Sequence, residues 1–129
     1  MIHDAVRPFV SQEILERNIT AVQNHQAVDT CIPSADTIVY SENGELITSI
    51  PARKNYQRGQ TPQTFAYQLI LEAHQKTKNT QSTDDCTLVL ELGYPVAIVP
   101  GSEDNIKITT ELDIEIAEWI LSGKTNQLS

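Results

Sequence analysis

The chain has 129 residues and a formal charge of −8, enough for one domain and too little for two catalytic ones. Apolar residues make up 40% and charged residues 20%, proportions that favour a packed core over disorder. The acidic balance, with an isoelectric point near 4.7, argues against nucleic acid or an anionic membrane as partner, because that attraction grows with the number of Lys and Arg; a small anion needs only a local basic cluster. No apolar run is long enough to span a bilayer, and MIHDAVRPFV has neither a basic n-region nor an apolar h-region, so a cytoplasmic protein is expected. Cys31 and Cys86 form no CxxC and His3, His25 and His74 are scattered, which leaves two buried free thiols and no structural zinc.

In chain order, MIHDAV reads as a strand already under way, with no turn or cap before it, so sequence is expected upstream. VSQEILERNITAVQNH reads as a helix capped by Ser11, with Glu13 and Glu16 near its positive end and Ile14, Leu15, Ile19 and Val22 on one apolar side. AVDTCIP reads as a short buried strand. DTIVYS and ELITSI flank Asn43-Gly44, a hairpin signal that predicts an arm over residues 36–50. PARKNYQRGQTPQ has no period and reads as a loop before a helix from Phe65 to Lys76, with Phe65, Leu69, Leu71 and Ala73 inward. Thr83 is expected to cap a helix over DDCTLVLEL that Gly93 ends. Strands YPVAIVPG and NIKIT follow. Thr110 and Asp113 then open a helix carrying Leu112, Ile116, Ala117, Ile120 and Leu121, closed by Gly123, and residues 124–129 are expected to be a disordered tail. This order predicts an α/β fold with a largely parallel sheet, whose chemistry lies beyond the carboxyl ends of strands.

Three places there carry candidate chemistry. Asp4 can hold a metal-bound water or a substrate hydroxyl, and Arg7 can clamp a phosphate, although a structural ion pair has the same spacing. His3 points away from Asp4 on strand alternation and reads as a packed residue. Arg53, Lys54 and Arg58 form a local basic cluster in an acidic chain, either an anion site or a solvated loop. Lys107, between Ile106 and Ile108, belongs either to the outer face of an edge strand or to a site. Thr83, Asp84 and Asp85 read as a helix cap. The five glycines are isolated, so no GxG or GxxxxGK loop is available to cradle a triphosphate, and the chain alone should bind a nucleoside triphosphate poorly.

IHDAVRP, the hairpin DT, GQTPQTF, TDD and DNIKITT, in that order, resemble the cytidylyltransferases that make CDP-methylerythritol or CDP-ribitol, over residues 1–122. The resemblance implies a Rossmann-like fold, Mg2+, and transfer of a cytidylyl group from CTP to a sugar-alcohol phosphate with release of pyrophosphate. It also implies that the family's glycine-rich nucleotide loop precedes IHDAVRP, so that residues 1–129 are the C-terminal portion of a single nucleotidyltransferase domain. By the same resemblance Asp4 is a catalytic and metal-binding aspartate and Lys107 a catalytic lysine. Arg7, Thr37, Arg53, Thr61 and Thr83 match substrate-binding positions. An arm over about 36–60 would interlock a homodimer, with Arg53 serving the neighbour's substrate. The absence of a lysine before the Asp36-Thr37 pair and the wording of PARKNYQRGQTPQTF lean toward ribitol phosphate over methylerythritol phosphate. A different class of function, a non-catalytic dimerisation or phosphate-binding module, fits the same residues.

Overall fold

The computed structural model describes residues 1–78, 82 and 84–123. Helix α1 (Gln12–Val22) leads to strand β1 (Ala27–Pro33), a short 3-10 helix (Arg53–Asn55), strand β2 (Gln57–Phe65), helix α2 (Tyr67–Lys76), helix α3 (Asp85–Glu91), strand β3 (Ala97–Pro100) and helix α4 (Glu111–Leu121). The strands form a three-stranded sheet in the order β2-β1-β3, with β1 antiparallel to β2 and parallel to β3. The sheet is therefore mixed, and the largely parallel sheet expected from the element order is corrected.

The central strand explains its own composition. AVDTCIP has neighbours on both edges and helices on both faces, so Ala27, Val28, Thr30, Cys31 and Ile32 are all buried. Ala27 packs with Phe65, Leu69, Ala73, Cys86, Leu88 and Val89 of the α2 and α3 side. Thr30 meets α1 on the opposite face, where Asn18 Nδ2 donates to its hydroxyl over 2.9 Å.

That contact corrects the phase of α1. Ile14 and Asn18 are buried, while Ile19, expected on the inner side, is exposed. Asn18 is tolerated inside because its amide is fully used: Nδ2 also donates to the Ile14 carbonyl over 3.0 Å, and Oδ1 accepts from Thr64 Oγ1 over 2.9 Å. Ser11 caps α1 as expected, accepting from the Ile14 N–H.

Strand β2 occupies the second half of the expected loop. QRGQTPQTF lacks apolar alternation and contains Gly and Pro, so its strand character comes from backbone pairing to β1 rather than from propensity. Asp29 pairs with Gln63 and Cys31 with Gly59, so four steps of β2 pass two steps of β1. The irregularity lies at Gln60, Thr61 and Pro62, where a proline costs no ladder bond.

Other expected elements are absent among the described residues. MIHDAV makes a single bridge, Ile2 to Gln63, and Asn105–Thr109 forms no strand. No hairpin arm is formed over 36–50: Tyr40 and Ser49 make one isolated bridge, and Asn43 Oδ1 accepts from the Glu45 and Leu46 N–H groups in a side-chain turn around Gly44, whose φ is +76°. A lone two-stranded ribbon with exposed Val39, Leu46, Ile47 and Ile50 buries too little apolar surface to hold a ladder.

Asp84, accepting from the Cys86 N–H, caps α3; Thr83 lies outside the described residues, as does the expected tail over 124–129. Gly93 follows α3 with φ +85°, as expected of a left-handed terminator. Helix α4 opens with the expected Thr110/Asp113 capping box, but only Ala117 is buried on it, and Leu112 and Leu121 are exposed. Cys31 and Cys86 are free and buried, and burial pushes the Cys31 thiol up to about 12, so it is no nucleophile at neutral pH. No described helix is long and apolar enough to cross a membrane.

Candidate active site

The register irregularity in β2, opposite Asp29–Cys31 of β1, and the turn after the Ile2 bridge meet on the β2 edge of the sheet. Asp4 and Arg7 leave that turn, Gln60 and Thr61 leave the irregularity, and Lys107 comes from the segment after β3. Two adjoining cavities of about 310 and 300 Å3 share Arg7, Gly59, Gln60 and Lys107 as a common wall. The larger also has Asp4, Thr61, Asp84 and Asp85 on its surface; the other reaches Arg58 and Asp113.

Charge is arranged around one carboxylate oxygen. Arg7 Nε donates to Asp4 Oδ2 over 3.2 Å, and Lys107 Nζ stands 3.6 Å from the same oxygen. Lys107 is half exposed and loosely held, whereas the Arg7 side chain is only 12% exposed. Arg7 is fixed by a second bond, from NH1 to the Asn105 carbonyl over 2.8 Å. An arriving phosphate oxygen can therefore draw Lys107 from Asp4 at little cost while Arg7 stays where it is.

Behind this wall lies a knot that sequence reading did not resolve. Asn105 is fully buried; its Nδ2 donates to the Thr61 carbonyl over 2.8 Å and to Gln60 Oε1 over 3.2 Å. Gln60 in turn donates from Nε2 to the Ser102 carbonyl over 2.8 Å and accepts from the Ser102 N–H. Gly101 is required beside it, since a β-carbon there would overlap Gln60 Oε1 and stand 3.0 Å from Thr30 Cγ2. The sequence signals were the isolated Gly101 and the Asn of DNIKITT, but both residues act through partners 40 or more positions away.

Among the expected site residues, Asp4, Arg7, Thr61 and Lys107 are thus brought together. Thr37 and Arg53 line neither cavity; both are exposed, and Arg53 NH1 donates to the Ala35 carbonyl over 2.8 Å. Arg58 pairs with Glu103 at 3.0 Å, and Asp84 is engaged by Gln63 Nε2 at 3.2 Å to each carboxylate oxygen. Among the described residues no group of three or more His, Cys, Asp or Glu side chains can hold a metal ion. Asp4 offers one carboxylate, which suits Mg2+ where substrate phosphates and water complete its shell.

The geometry defines an α/β domain whose cationic wall, Arg7 and Lys107 beside Gly59 and Gln60 of β2, suits an anionic ligand such as a phosphate. The model of the family IspD, 2-C-methyl-D-erythritol 4-phosphate cytidylyltransferase, matches residues 1–123, and the chain belongs to that family. It is similar to the 2-C-methyl-D-erythritol 4-phosphate cytidylyltransferase of Thermus thermophilus, with 38% identity and a TM-score of 0.82 over 93% of this chain and 60% of that one. It also resembles the 4-diphosphocytidyl-2C-methyl-D-erythritol synthase of Anaerococcus prevotii, with 34% identity and a TM-score of 0.85 over 93% of this chain and 57% of that one. The Francisella tularensis IspD structure matches at 27% identity and a TM-score of 0.79, over 91% of this chain and 56% of that one. The chain spans little more than half the length of these structures. The family and these structures are named for methylerythritol phosphate, which corrects the lean toward ribitol phosphate.

Proposed function

We propose that this chain supplies the acceptor-binding and charge-neutralising part of a cytidylyltransferase that joins CTP to 2-C-methyl-D-erythritol 4-phosphate. The observation that carries the reading is the convergence of Arg7 and Lys107 on Asp4 in a chain of this family. In the reaction an oxygen of the acceptor phosphate attacks the α-phosphorus of CTP; the new P–O bond forms as the bond to the β-phosphate breaks, and pyrophosphate leaves with the electron pair. The attacking phosphate is already ionised, so alignment and neutralisation matter more than a base.

In this reading Arg7 orients the acceptor phosphate, Thr61 lines the acceptor cavity beside it, and Lys107 neutralises charge shared between attacking and leaving oxygens. Asp4 holds Lys107 in reserve and gives one ligand to Mg2+, which offsets phosphate charge when bound. Thr83 adds to the acceptor site, whereas Thr37 and Arg53, exposed and lining neither cavity of this chain, bind acceptor only in the assembled homodimer, where Arg53 serves the second subunit. The sequence holds no glycine-rich phosphate loop, so the CTP triphosphate is held mainly by residues outside these 129.

The test is pyrophosphate release from CTP, Mg2+ and methylerythritol phosphate by the intact enzyme carrying this chain, beside the 129-residue chain alone. Turnover by the former and none by the latter is expected. An intact enzyme without transfer would overturn the proposal in favour of a non-catalytic phosphate-binding module.

A further inference from the structure

We propose that His3 is a positioning residue of this site, whose imidazole is held as the Nε2–H tautomer and fixes the turn that carries Asp4 and Arg7. His3 lines neither cavity, so it acts through its neighbours and not on a ligand.

Both ring nitrogens are engaged. Nε2 lies 2.8 Å from the Arg7 carbonyl oxygen, and Nδ1 lies 2.8 Å from Thr61 Oγ1. A carbonyl can only accept, so Nε2 carries the hydrogen. In the neutral ring Nδ1 is then an acceptor, and the Thr61 hydroxyl must give it its hydrogen. Thr61 Oγ1 accepts in turn from the Asp4 N–H over 3.0 Å, and the Arg7 N–H donates to the Asp4 carbonyl over 3.1 Å. The series runs Asp4 N–H to Thr61, Thr61 O–H to His3, His3 N–H to Arg7, and Arg7 N–H back to Asp4. Every donor in this ring has one acceptor, and no hydrogen is contested.

The arrangement replaces a strand ladder. Among the described residues, the backbone of residues 1–7 pairs with β2 through the single Ile2 to Gln63 bridge. Beyond it, among the described residues, the hydrogen bonds from residues 3–7 to β2 go to Thr61, at the point where the register irregularity presents that side chain. His3 closes the tie over four residues, so the backbone that aims the Asp4 carboxylate and the Arg7 guanidinium is held at both ends. His3 lines neither cavity and its one lone pair accepts from the Thr61 hydroxyl, so it takes no proton directly from a bound ligand.

The tautomer follows from geometry alone; its effect on turnover rests on the cytidylyl-transfer reading above. Long-range 15N–1H correlation spectra of histidine-labelled protein at about pH 8.5, above the ordinary imidazole range, should show His3 with a protonated Nε2 and a hydrogen-bonded, unprotonated Nδ1. Thr61→Val should move the Nδ1 resonance toward that of a free acceptor and leave His25 and His74 unchanged. In the intact enzyme His3→Asn, which can keep an acceptor near the Nδ1 position, and His3→Gln, which can keep a donor near Nε2, should each lower kcat about five- to tenfold, the worth of one neutral hydrogen bond. His3→Ala should lose more than either. An Nδ1–H tautomer, an Nδ1 resonance indifferent to Thr61→Val, or folded His3 variants with kcat within twofold of normal would each overturn the proposal. If the unsubstituted enzyme shows no transfer, the functional reading fails and the spectra still decide the role of His3.

Discussion

Arg7 donates through NH1 to the backbone carbonyl of Asn105, 2.8 Å away in space and 98 positions on in the sequence. The bond joins the turn after the first bridge to the segment that carries Lys107, so both cations of the site are positioned by one fully buried asparagine. Because the Asn105 side chain also ties Thr61 and Gln60, loss of that residue should be felt at several points of the site at once.

Asn105→Ala removes a buried donor from the Thr61 carbonyl and from Gln60 Oε1. The expected loss is about 2 kcal/mol of stability, the cost of stripping the Thr61 carbonyl of that donor and leaving Gln60 Oε1 with the Ser102 N–H. Urea unfolding followed by circular dichroism checks it, and a midpoint equal to that of the unsubstituted protein would show that water replaces the amide.

Lys107→Ala in the intact enzyme should lower kcat more than it raises the KM for methylerythritol phosphate. If the ammonium acts on charge that develops in the transition state, its removal costs about 3 kcal/mol, roughly two orders of magnitude in rate. Stability should hardly change, since the half-exposed side chain packs in no core. Turnover within about threefold of normal, under about 1 kcal/mol, would take Lys107 out of the chemistry.

The carboxyl of Asp113 is held below its ordinary value of 3.8 by the backbone N–H of Thr109 first, then by the hydroxyl and N–H of Thr110. A lowered carboxyl contributes stability above the unfolded value and loses it as the pH falls through the folded one. Asp113→Asn should therefore lower the thermal midpoint at pH 7, and the gap should close in acid as the pH falls from 3.8 through the lowered value. Parallel pH profiles for the two proteins would mean that the capping box is replaced by another cap.

Asp29 should behave in the opposite sense. Burial raises its carboxyl above 3.8, the charge of Asp84 adds to this, and bonds from Gln63 and Cys31 oppose it; its Oδ1 is buried with no partner among the described residues. A raised carboxyl lowers stability as the pH climbs from the unfolded value through the folded one. Asp29→Asn should thus gain on the unsubstituted protein between pH 4 and pH 7, read as a difference in thermal midpoint that grows with pH. A difference independent of pH would show that Asp29 ionises without cost.

The sequence by itself determined what is decided within a turn of chain. The Ser11 cap, the Thr110/Asp113 box, the Gly93 terminator and the buried β1 run follow from hydrogen bonds or sterics spanning a few residues, and each stands where it was read. Asp4, Arg7, Thr61 and Lys107 were legible as a set because their motifs are distinctive. What the sequence missed is polar and distant: β2 is a strand with scarcely an apolar residue, and Asn18 is buried because Thr30 and Thr64 answer its amide. His3 is tied to Thr61 across 58 positions, so alternation along its own strand could not show which groups it would meet. The exposed apolar faces of α4 and of residues 36–50 mark the same limit from the other side. Periodicity names the residues able to enter a core, and only the tertiary structure decides whether another surface lies against them.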